Sequence, residues 1–560
     1  MDRRPAERPL APLPLARGTH GAVVAPHHLA TEAGVAILRA GGNAVDAAIA
    51  ANAVLAVVVP EACGIGGDAF WLIWDAAEER QVALNGSGRS AAALDAAALR
   101  GSGRSRMPAR GPLAINVPGA VRSWADAHRR FGRLAQSDIL APAIELAAAG
   151  FPAWDGFVES VEATVPIVEA AIGPRSGWAQ VYRPSDRPWR LGERVVLPAL
   201  AATLGRLADA GFDDLYDGEL AERQVAGLQA AGSPIVLDDL RSHTSTWCEP
   251  IGSSYRGTRV TTHPPNSQGI VALSILAILE RFAPPDPRVF TGGQGADARW
   301  LHLGIEASKL AWADRDALLT DPEAMDEPAG ELVDRLLDPV YVAALAARID
   351  PARASLPPAS RAPVGGGTTY LAAVDGEGNA VSLIESNYMG FGSGVVDPAT
   401  GIGYHNRGAY FSLEAGHPNE LAPRKRTLHT LMPGMLFRDG RPWVVLGSMG
   451  GDAQPQILAQ VASALVDGGV DVATAVGAPR WFVEPEDHFR PPVEVRAEPR
   501  FGGGTLDELR AMGHRVTATP AFSATLGHCH AIELVDGGPR EGGTLAAATD
   551  PRSAGLPATW

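Results

Sequence analysis

Cysteine is scarce in this sequence, with only Cys63, Cys248 and Cys529 among 560 residues. So few thiols, in an odd number, exclude a disulfide framework and are typical of a reducing compartment. Cys529 stands between His528 and His530, but adjacent ligands without a second pair are a weak zinc signal. We therefore predict no metal centre.

Basic residues and long apolar runs are also in short supply. The chain carries 48 Lys and Arg against 63 Asp and Glu, a net charge of −15, which argues against nucleic acid or an anionic membrane as partner. The longest apolar run, 47–59, contains Asn52 and is too short to span a bilayer. Prolines interrupt the apolar stretches of residues 1–25, so no secretory signal is visible. We predict a soluble, cytoplasmic protein whose substrate is a small molecule.

Proline and glycine are concentrated between residues 350 and 367, and this segment is typical of an exposed linker. Helical patterns dominate before it and strand patterns after it. The sum is an α/β (α+β) chain, for which helices layered on stacked antiparallel sheets are the economical architecture. Residues 1–19 resemble a disordered arm.

Hydrophobic periodicity locates the elements within this outline. The predicted helices lie at 28–39, 43–57, 271–279, 299–319, 454–466 and 506–512, and across 118–150 with breaks at Gly132 and Pro142. The predicted strands lie at 21–26, 70–74, 81–84, 370–374, 380–385, 433–437 and 443–446.

The most informative segment is Gly365-Gly366-Gly367-Thr368-Thr369-Tyr370, which leads into a strand-like run. Three glycines give a backbone free to adopt strained conformations. A hydroxyl at the start of a buried strand, behind such a loop, suits a chain that cuts itself there. On this segment alone, however, a plain loop entering a strand is the simpler interpretation.

Self-cleavage before Thr368 would create a nucleophile with its own base. A threonine hydroxyl does not ionise near pH 7, so a base must take its proton during attack. A free α-amine has a pKa of about 7.7–8.0, close to the operating pH, and burial lowers it further.

Motifs along most of the chain resemble the γ-glutamyltransferase family of N-terminal-nucleophile hydrolases. The matching segments are Gly41 to Ala48, Gly64-Ile65-Gly66-Gly67, Val117-Pro118-Gly119, Pro142 to Gly150, Pro264 to Gly269, the spaced residues Glu306, Lys309, Ala311, Asp314 and Arg315, and Asp550-Pro551-Arg552-Ser553. The resemblance implies the sandwich fold of these hydrolases, with two antiparallel sheets between two helix layers.

The resemblance also implies how the chain is processed and how it reacts. Thr368 would be the processing residue and the nucleophile. Cleavage between Gly367 and Thr368 would give a large subunit, 1–367, and a small subunit, 368–560, and this pair could form a homo-oligomer. Ser386 falls on the family position that hydrogen-bonds the nucleophile. Gly450 and Gly451 match the glycine pair whose amides hold the oxyanion.

The family's grip on a substrate α-carboxylate is altered in this sequence. The family's serine pair falls on His429 and Thr430, both of which can donate hydrogen bonds. Ser87 stands at the position of the family's arginine. Arg89 follows two residues later, and an alternation of two would keep it on the same face of a strand. We predict that Arg89 reaches the substrate.

The family's grip on a substrate α-ammonium is altered as well. The aspartate that binds the ammonium falls on Tyr410, which cannot neutralise it, and Arg407 nearby would repel it. The family's asparagine is replaced by Tyr388, although Asn387 is adjacent. The pocket therefore suits an acid, or an acyl group that lacks the α-ammonium.

Three functions follow from these residues. The first is γ-glutamyl transfer or glutathione hydrolysis through an acyl-enzyme on Thr368, resolved by water or an amine. The second is hydrolysis of another acidic amide, such as oxamate or the dicarboxylic acyl side chain of a cephalosporin. The third is an uncleaved, non-catalytic binding protein. A dinucleotide site at 64–67 is excluded because no G-x-G-x-x-G spacing follows, and we predict no cofactor.

Overall fold

Two seven-stranded sheets form the centre of the protein. The structure, a computed structural model, describes residues 15–292, 296–355, 367–484 and 494–560. The first sheet is antiparallel throughout. Its strands, in spatial order, are β19 (Ala558–Thr559), β2 (Ala22–Val24), β10 (Gly367–Val374), β11 (Ala380–Tyr388), β3 (Asp68–Asp75), β4 (Arg80–Gly86) and β7 (Thr246–Cys248).

The second sheet is also antiparallel. Its strands, in spatial order, are β1 (Ala16–Gly18), β18 (Thr544–Ala548), β17 (Cys529–Val535), β13 (Arg441–Ser448), β12 (Gly434–Arg438), β9 (Thr258–Thr262) and β8 (Ile251–Tyr255). Smaller sheets are formed by β5 (Phe151–Pro152) with β6 (Arg194–Val195), and by β14 (Trp481–Val483), β15 (Glu494–Ala497) and β16 (Arg515–Ala518).

The two large sheets pack face to face. Phe70 and Tyr370 of the first sheet share a buried cluster with Met435, Val445 and Ile532 of the second. Because side chains alternate along a strand, every second residue of β3, β10 and β11 faces this inter-sheet layer, and the residues between face outwards.

Helices cover both outer faces, each against its own apolar cluster. The first sheet is covered from α1 (His28–Arg39), α2 (Ala44–Val58), α3 (Ala96–Gly101), α4 (Ala120–Phe131), α5 (Gln136–Ala149), α6 (Asp155–Ile172), α7 (Gly177–Tyr182), α8 (Pro198–Ala210), α9 (Asp214–Asp217), α10 (Glu219–Ala230) and α11 (Leu237–Arg241). The second is covered from α12 (Gly269–Leu279), α13 (Arg288–Thr291), α14 (Ala298–Leu318), α15 (Ala329–Leu336), α16 (Pro339–Ala346), α17 (Gln454–Val466), α18 (Val472–Gly477) and α19 (Gly503–Ala511).

Helix α2 illustrates how the sequence builds the layer against the first sheet. Asn43 caps it by accepting hydrogen bonds from the N–H groups of Val45 and Asp46, and the Asp46 carboxylate accepts one from Asn43 N–H in return. Its alanine-rich sequence is buried on all sides. Asn52 is tolerated there because its Oδ1 accepts a hydrogen bond from Trp124 Nε1 at 2.9 Å.

The predicted architecture of two antiparallel sheets between helix layers is confirmed, but two local predictions are wrong. Pro142 does not break a helix. It lies inside α5, where the buried Ile139, Leu140 and Ala143 hold the helix together despite one lost backbone bond. Within the predicted disordered arm, Ala16–Gly18 forms an edge strand paired with Leu545 to Ala547.

The predicted linker is only partly described, because residues 356–366, including Gly365 and Gly366, lie outside the described residues, as do residues 1–14. Its first part, 350–355, ends at Ser355, which is hydrogen-bonded to Glu306 and Lys309 of α14. Gly367 is buried at the start of β10. Among the described helices, none has both the length and the apolar character that crossing a bilayer requires.

Candidate active site

Thr368 and Ser386 face each other across β10 and β11. The two residues are register partners, and Thr368 Oγ1 donates a hydrogen bond to Ser386 Oγ at 3.0 Å. Ser386 Oγ in turn donates to the carbonyl oxygen of Gly367 at 2.6 Å and accepts from Tyr388 N–H at 2.7 Å. This is the geometry of the uncut chain, and it places one serine hydroxyl between a threonine hydroxyl and the preceding carbonyl.

Asp68 extends this row onto a third strand, because it is the register partner of Ser386 on β3. Phe70 and Tyr370 lie two residues further along their strands and belong to the inter-sheet cluster. Thr368, Ser386 and Asp68 therefore point between the sheets. The row is buried, which shields its chemistry from bulk water.

Two neutral histidines flank Asp68. His429 Nε2 lies 3.1 Å from Asp68 Oδ2, and its Nδ1 accepts from Leu431 N–H, so the proton sits on Nε2 and is donated to Asp68. His405 Nε2 bonds to the carbonyl of Asn116 and its Nδ1 accepts from Arg407 N–H, which fixes the same tautomer.

The charges around Asp68 follow from burial and from these contacts. Burial lowers the pKa of His429 to about 3, and the nearby Arg407 charge acts in the same direction. Burial acts to raise the pKa of Asp68, but His405, His429 and Arg407 outweigh it and hold that pKa below its usual range. His429 is therefore neutral, and the N–H that it could donate to a substrate carboxylate is donated to Asp68 instead.

Arg407 is a buried cation without a carboxylate partner among the described residues. Its NH1 nitrogen donates to Thr430 Oγ1 at 3.2 Å, whereas Nε and NH2 have no hydrogen-bond partner. The guanidinium lies over the Tyr388 ring, 4.1 Å from its centroid. Burial lowers the pKa of Arg407, but an arginine stays protonated in a protein. Arg407 thus presents unused positive charge to the interior, with the neutral Thr430 hydroxyl beside it.

The geometry does not support substrate contact by Arg89 or Asn387. Strand β4 ends at Gly86, so the alternation assumed for Arg89 does not apply, and its guanidinium pairs with Glu323 at 2.8 Å. Asn387 follows Ser386 and points to the opposite face of the sheet, where its Nδ2 donates to the carbonyl of Pro60 at 3.3 Å. Arg407, by contrast, has two guanidinium nitrogens without a hydrogen-bond partner among the described residues.

Tyr410 donates its hydroxyl to Asp452 Oδ1 at 2.8 Å, and Asp452 also pairs with Arg315. Asp452 follows the Gly450-Gly451 pair, which sits in a turn with φ of +143° and +56°. Such angles favour glycine. The turn opens a short 3₁₀ helix that continues into α17. No described residue accepts a hydrogen bond from Gly450 N–H or Gly451 N–H.

Two buried carboxyl groups, those of Glu385 and Glu61, lie near the row formed by Thr368, Ser386 and Asp68. Glu385 alternates with Ser386 and faces the helix layer, where its Oε1 accepts from Gly64 N–H at 2.9 Å. Burial without a cation raises the pKa of Glu385 to about 8 and that of Glu61 to about 8. Both groups are therefore protonated at neutral pH.

A second cluster contains three residues that could ligate a metal ion. One ligand atom from each of His302, Glu306 and His514 lies within 4.8 Å of the other two. His302 Nδ1 and His514 Nε2 already share a hydrogen bond of 2.7 Å, and the Glu306 carboxylate holds the Lys309 ammonium at 2.6 Å. A buried ammonium beside the carboxylate disfavours a second cation, so these residues are poor metal ligands.

Sequence reasoning missed Asp68, Gln268 and Asp452. A lone acid at the start of the apolar run of β3 was a usable signal for Asp68, since an unpaired buried charge is costly. Gln268 lies within the family segment Pro264 to Gly269 and Asp452 directly follows Gly450-Gly451, but their contacts could not be predicted because their partners are distant in the chain.

Comparisons with known proteins identify the family of the chain. The Gamma-glutamyltranspeptidase family profile matches residues 30–560. The chain is similar to the glutathione hydrolase-like YwrD proenzyme of Bacillus subtilis, at 39% identity over 96% of this chain and 98% of that protein. It is equally similar to the oxamate amidohydrolase proenzyme of Klebsiella pneumoniae, at 39% identity over 97% and 99%.

A solved structure extends the likeness to three dimensions. The cephalosporin acylase of Bacillus halodurans matches with a TM-score of 0.90 at 35% identity, over 100% of this chain and 99% of that one. Relatives over nearly the full length are thus named as hydrolases, amidohydrolases and acylases. The chain belongs to the gamma-glutamyltranspeptidase family and is an amidohydrolase of that family.

Proposed function

We propose that this enzyme cuts itself between Gly367 and Thr368 and then hydrolyses amides whose acyl group carries a carboxylate but no α-ammonium. The observation that carries the substrate class is the buried Arg407 guanidinium, with two nitrogens free and Thr430 beside it. A carboxylate is the partner that such a fork accepts best.

Self-cleavage begins when Thr368 Oγ attacks the carbonyl carbon of Gly367. Ser386 Oγ accepts from Thr368 and donates to the Gly367 oxygen, so it can polarise this carbonyl and relay the proton to the departing amide nitrogen. The C–N bond breaks, which frees the α-amine of Thr368, and an ester forms on Thr368 Oγ. Water hydrolyses this ester, which releases the Thr368 hydroxyl and the Gly367 carboxylate and yields subunits 1–367 and 368–560.

Turnover reuses the same hydroxyl. The free α-amine takes the proton of Thr368 Oγ as it attacks the substrate amide, and the N–H groups of Gly450 and Gly451 stabilise the oxyanion. The amine part of the substrate leaves with the proton that the α-amine took from Thr368 Oγ. Water then hydrolyses the acyl-enzyme. Ser386 keeps Thr368 Oγ oriented in both stages.

Specificity follows from the pocket charges. Arg407 and Thr430 would hold the acyl carboxylate, while Tyr410 offers no charge to an ammonium. The name of one relative, an oxamate amidohydrolase, supports an acidic acyl group, because oxamate is the monoamide of a dicarboxylic acid.

A matched pair of chromogenic amides tests this specificity. Glutaryl-p-nitroanilide and γ-glutamyl-p-nitroanilide differ only in the α-amino group. We expect kcat/KM to favour the glutaryl substrate at least about tenfold, because an ammonium beside Arg407 is repelled. The methyl ester of the glutaryl substrate should be poor. Preference for the γ-glutamyl substrate would contradict the proposal.

A second candidate is γ-glutamyl hydrolysis or transfer. Its support is Asp452, a buried carboxylate that accepts a hydrogen bond from Tyr410. Asp452 Oδ2 has no hydrogen-bond partner among the described residues and could face an ammonium. Similarity to the glutathione hydrolase-like relative points the same way. Because Arg315 already neutralises Asp452, we place this candidate second, and the same pair of amides decides.

A further inference from the structure

A buried glutamine connects the acyl pocket to the Gly450-Gly451 turn. Gln268 Nε2 donates both to the carbonyl of Thr430 at 2.8 Å and to the carbonyl of Gly451 at 2.9 Å. One amide group thus spans the segment that contacts Arg407 and the turn that we assign to the oxyanion. Gln268 is fully buried, so water does not compete for these bonds.

The orientation of this amide is fixed by a charge. Gln268 Oε1 accepts from Arg315 NH1 at 2.8 Å, so the Nε2 donors must point the other way, at the two carbonyls. Arg315 also pairs with Asp452, the residue that follows Gly451. If the Gln268 amide were flipped, its N–H groups would face the Arg315 guanidinium, and its carbonyl oxygen would face the carbonyl oxygens of Thr430 and Gly451.

The backbone bonds of the turn are those of its short 3₁₀ helix, in which Ala453 N–H donates to the Gly450 carbonyl at 3.0 Å and Gln454 N–H donates to the Gly451 carbonyl. Both glycines have positive φ and no side chain, and glycine is conformationally permissive. Gln268 fixes the Gly451 carbonyl, and Arg315 fixes the next side chain. Donors for an oxyanion act only when they are preorganised.

We propose that Gln268 and Arg315 are positioning residues: by holding the Gly451 carbonyl and the Asp452 side chain, they keep the adjoining Gly451 N–H in the orientation that stabilises the oxyanion. This inference rests on the proposed function, since it takes the oxyanion role of the glycines from there. Neither residue touches substrate. Their effect passes through the backbone of the turn, so it should appear in the transition state more than in substrate binding.

Gln268→Met tests this with little change in volume. We expect kcat on glutaryl-p-nitroanilide to fall about tenfold to hundredfold, with KM within about threefold. Affinity for 3-carboxypropylboronic acid, which forms a tetrahedral adduct on a nucleophile, should fall by the same factor as kcat. Cleavage at Gly367–Thr368 should persist, because Ser386 rather than the turn contacts the Gly367 carbonyl.

Gln456→Met is the matched control. Gln456 is also buried, and its Nε2 donates to the carbonyl of Val483 at 3.2 Å, away from the turn. If the control loses as much kcat as Gln268→Met, or if Gln268→Met keeps full kcat, the positioning role is overturned.

A second variant protects the test against misfolding. Arg315→Gln with Asp452→Asn removes the buried Arg315–Asp452 pair together, and the other carboxylate that pairs with Arg315, Asp316 at 2.8 Å, is partly exposed. It should reproduce the loss of kcat and of boronate affinity, and unchanged values would overturn the role of Arg315. Failure of the proposed function is distinguishable, because then the unaltered enzyme itself would remain uncut and inactive.

Discussion

The region around Thr368 and the region around Arg552 treat buried charge in opposite ways. Arg552 bonds through Nε to Glu498, through NH1 to Asp550 and through NH2 to the carbonyl of Ala478. Arg407, equally buried, has one bond to a hydroxyl and two free nitrogens. A fully paired charge serves the fold, whereas an unpaired one lowers stability and is explained by a ligand.

The carboxyl groups repeat the contrast. Glu498 is paired with Arg500 and Arg552. Glu385 pairs with no cation in the part of the chain that the structure describes, and its pKa rises to about 8 because it is buried. The unpaired groups cluster around β10 and β11. We infer that this half of the core is built for reaction at the expense of stability, and each prediction below tests one side of that contrast.

The largest effect is expected at the nucleophile. Thr368→Ala should abolish both chain cleavage and amidase activity, a loss of at least about 10⁴-fold, since no other hydroxyl has the geometry to replace it. Thr369→Ala is the control, because Thr369 is also buried but faces the helix layer. Gel electrophoresis and a nitroanilide assay measure both properties. Full activity in Thr368→Ala would contradict the assignment.

Arg552→Met should be the most destabilising change on the paired side. It leaves Asp550 and Glu498 with fewer partners in a buried site, at a cost of about 3–5 kcal/mol in the free energy of unfolding. Urea denaturation followed by tryptophan fluorescence measures it. A loss below about 1 kcal/mol would show that pairing is not what makes this region stable.

Arg407→Met should lower activity without lowering stability. The free energy of unfolding should stay the same or rise, because an unpaired buried charge is removed. At the same time kcat/KM for glutaryl-p-nitroanilide should fall about 10²-fold, while its methyl ester loses far less. Equal losses on acid and ester would mean that Arg407 does not bind the carboxylate.

Glu385→Gln should change how stability depends on pH. A carboxyl whose pKa is about 8 when folded and 4.5 when unfolded binds its proton more tightly in the folded state. The enzyme should therefore lose stability as pH rises from about 5 to 8, by up to about 4 kcal/mol for this group. The glutamine variant should show a flatter curve. An unchanged curve in urea titrations at several pH values would refute the contribution of Glu385.

Tyr410→Asp should have the smallest effect. Arg315 neutralises only one carboxylate, so a second one beside Asp452 would leave a net negative charge that attracts an ammonium. The preference for a substrate with an α-ammonium should increase by roughly 1 kcal/mol, or about fivefold. The ratio of γ-glutamyl to glutaryl turnover should rise by that factor. No change would place Tyr410 outside the pocket.

Local patterns predicted the elements well where capping and periodicity are strong. The predicted helix 28–39 coincides with α1, and the hairpin of β3 and β4 was expected from two buried runs. The contact of Thr368 with Ser386 also follows once both strands are known, because the pair lies in register. The predicted helix break at Pro142 was wrong because packing outweighs one missing backbone hydrogen bond.

The charged contacts of the site could not be predicted from local sequence. His429 and Asp68 are 361 residues apart, and Arg315 and Asp452 are 137 apart. Their meeting depends on how two sheets and a helix layer stack. The neutral state of His429 depends on burial, which sequence spacing does not reveal.

The intact mass of the freshly purified protein tests the central claim most directly. Two species that correspond to residues 1–367 and 368–560 would establish self-cleavage before Thr368, as the contacts of Ser386 with Thr368 and Gly367 predict. A single uncut species that nevertheless hydrolyses amides would contradict the account, because Thr368 would then lack the free amine that serves as its base.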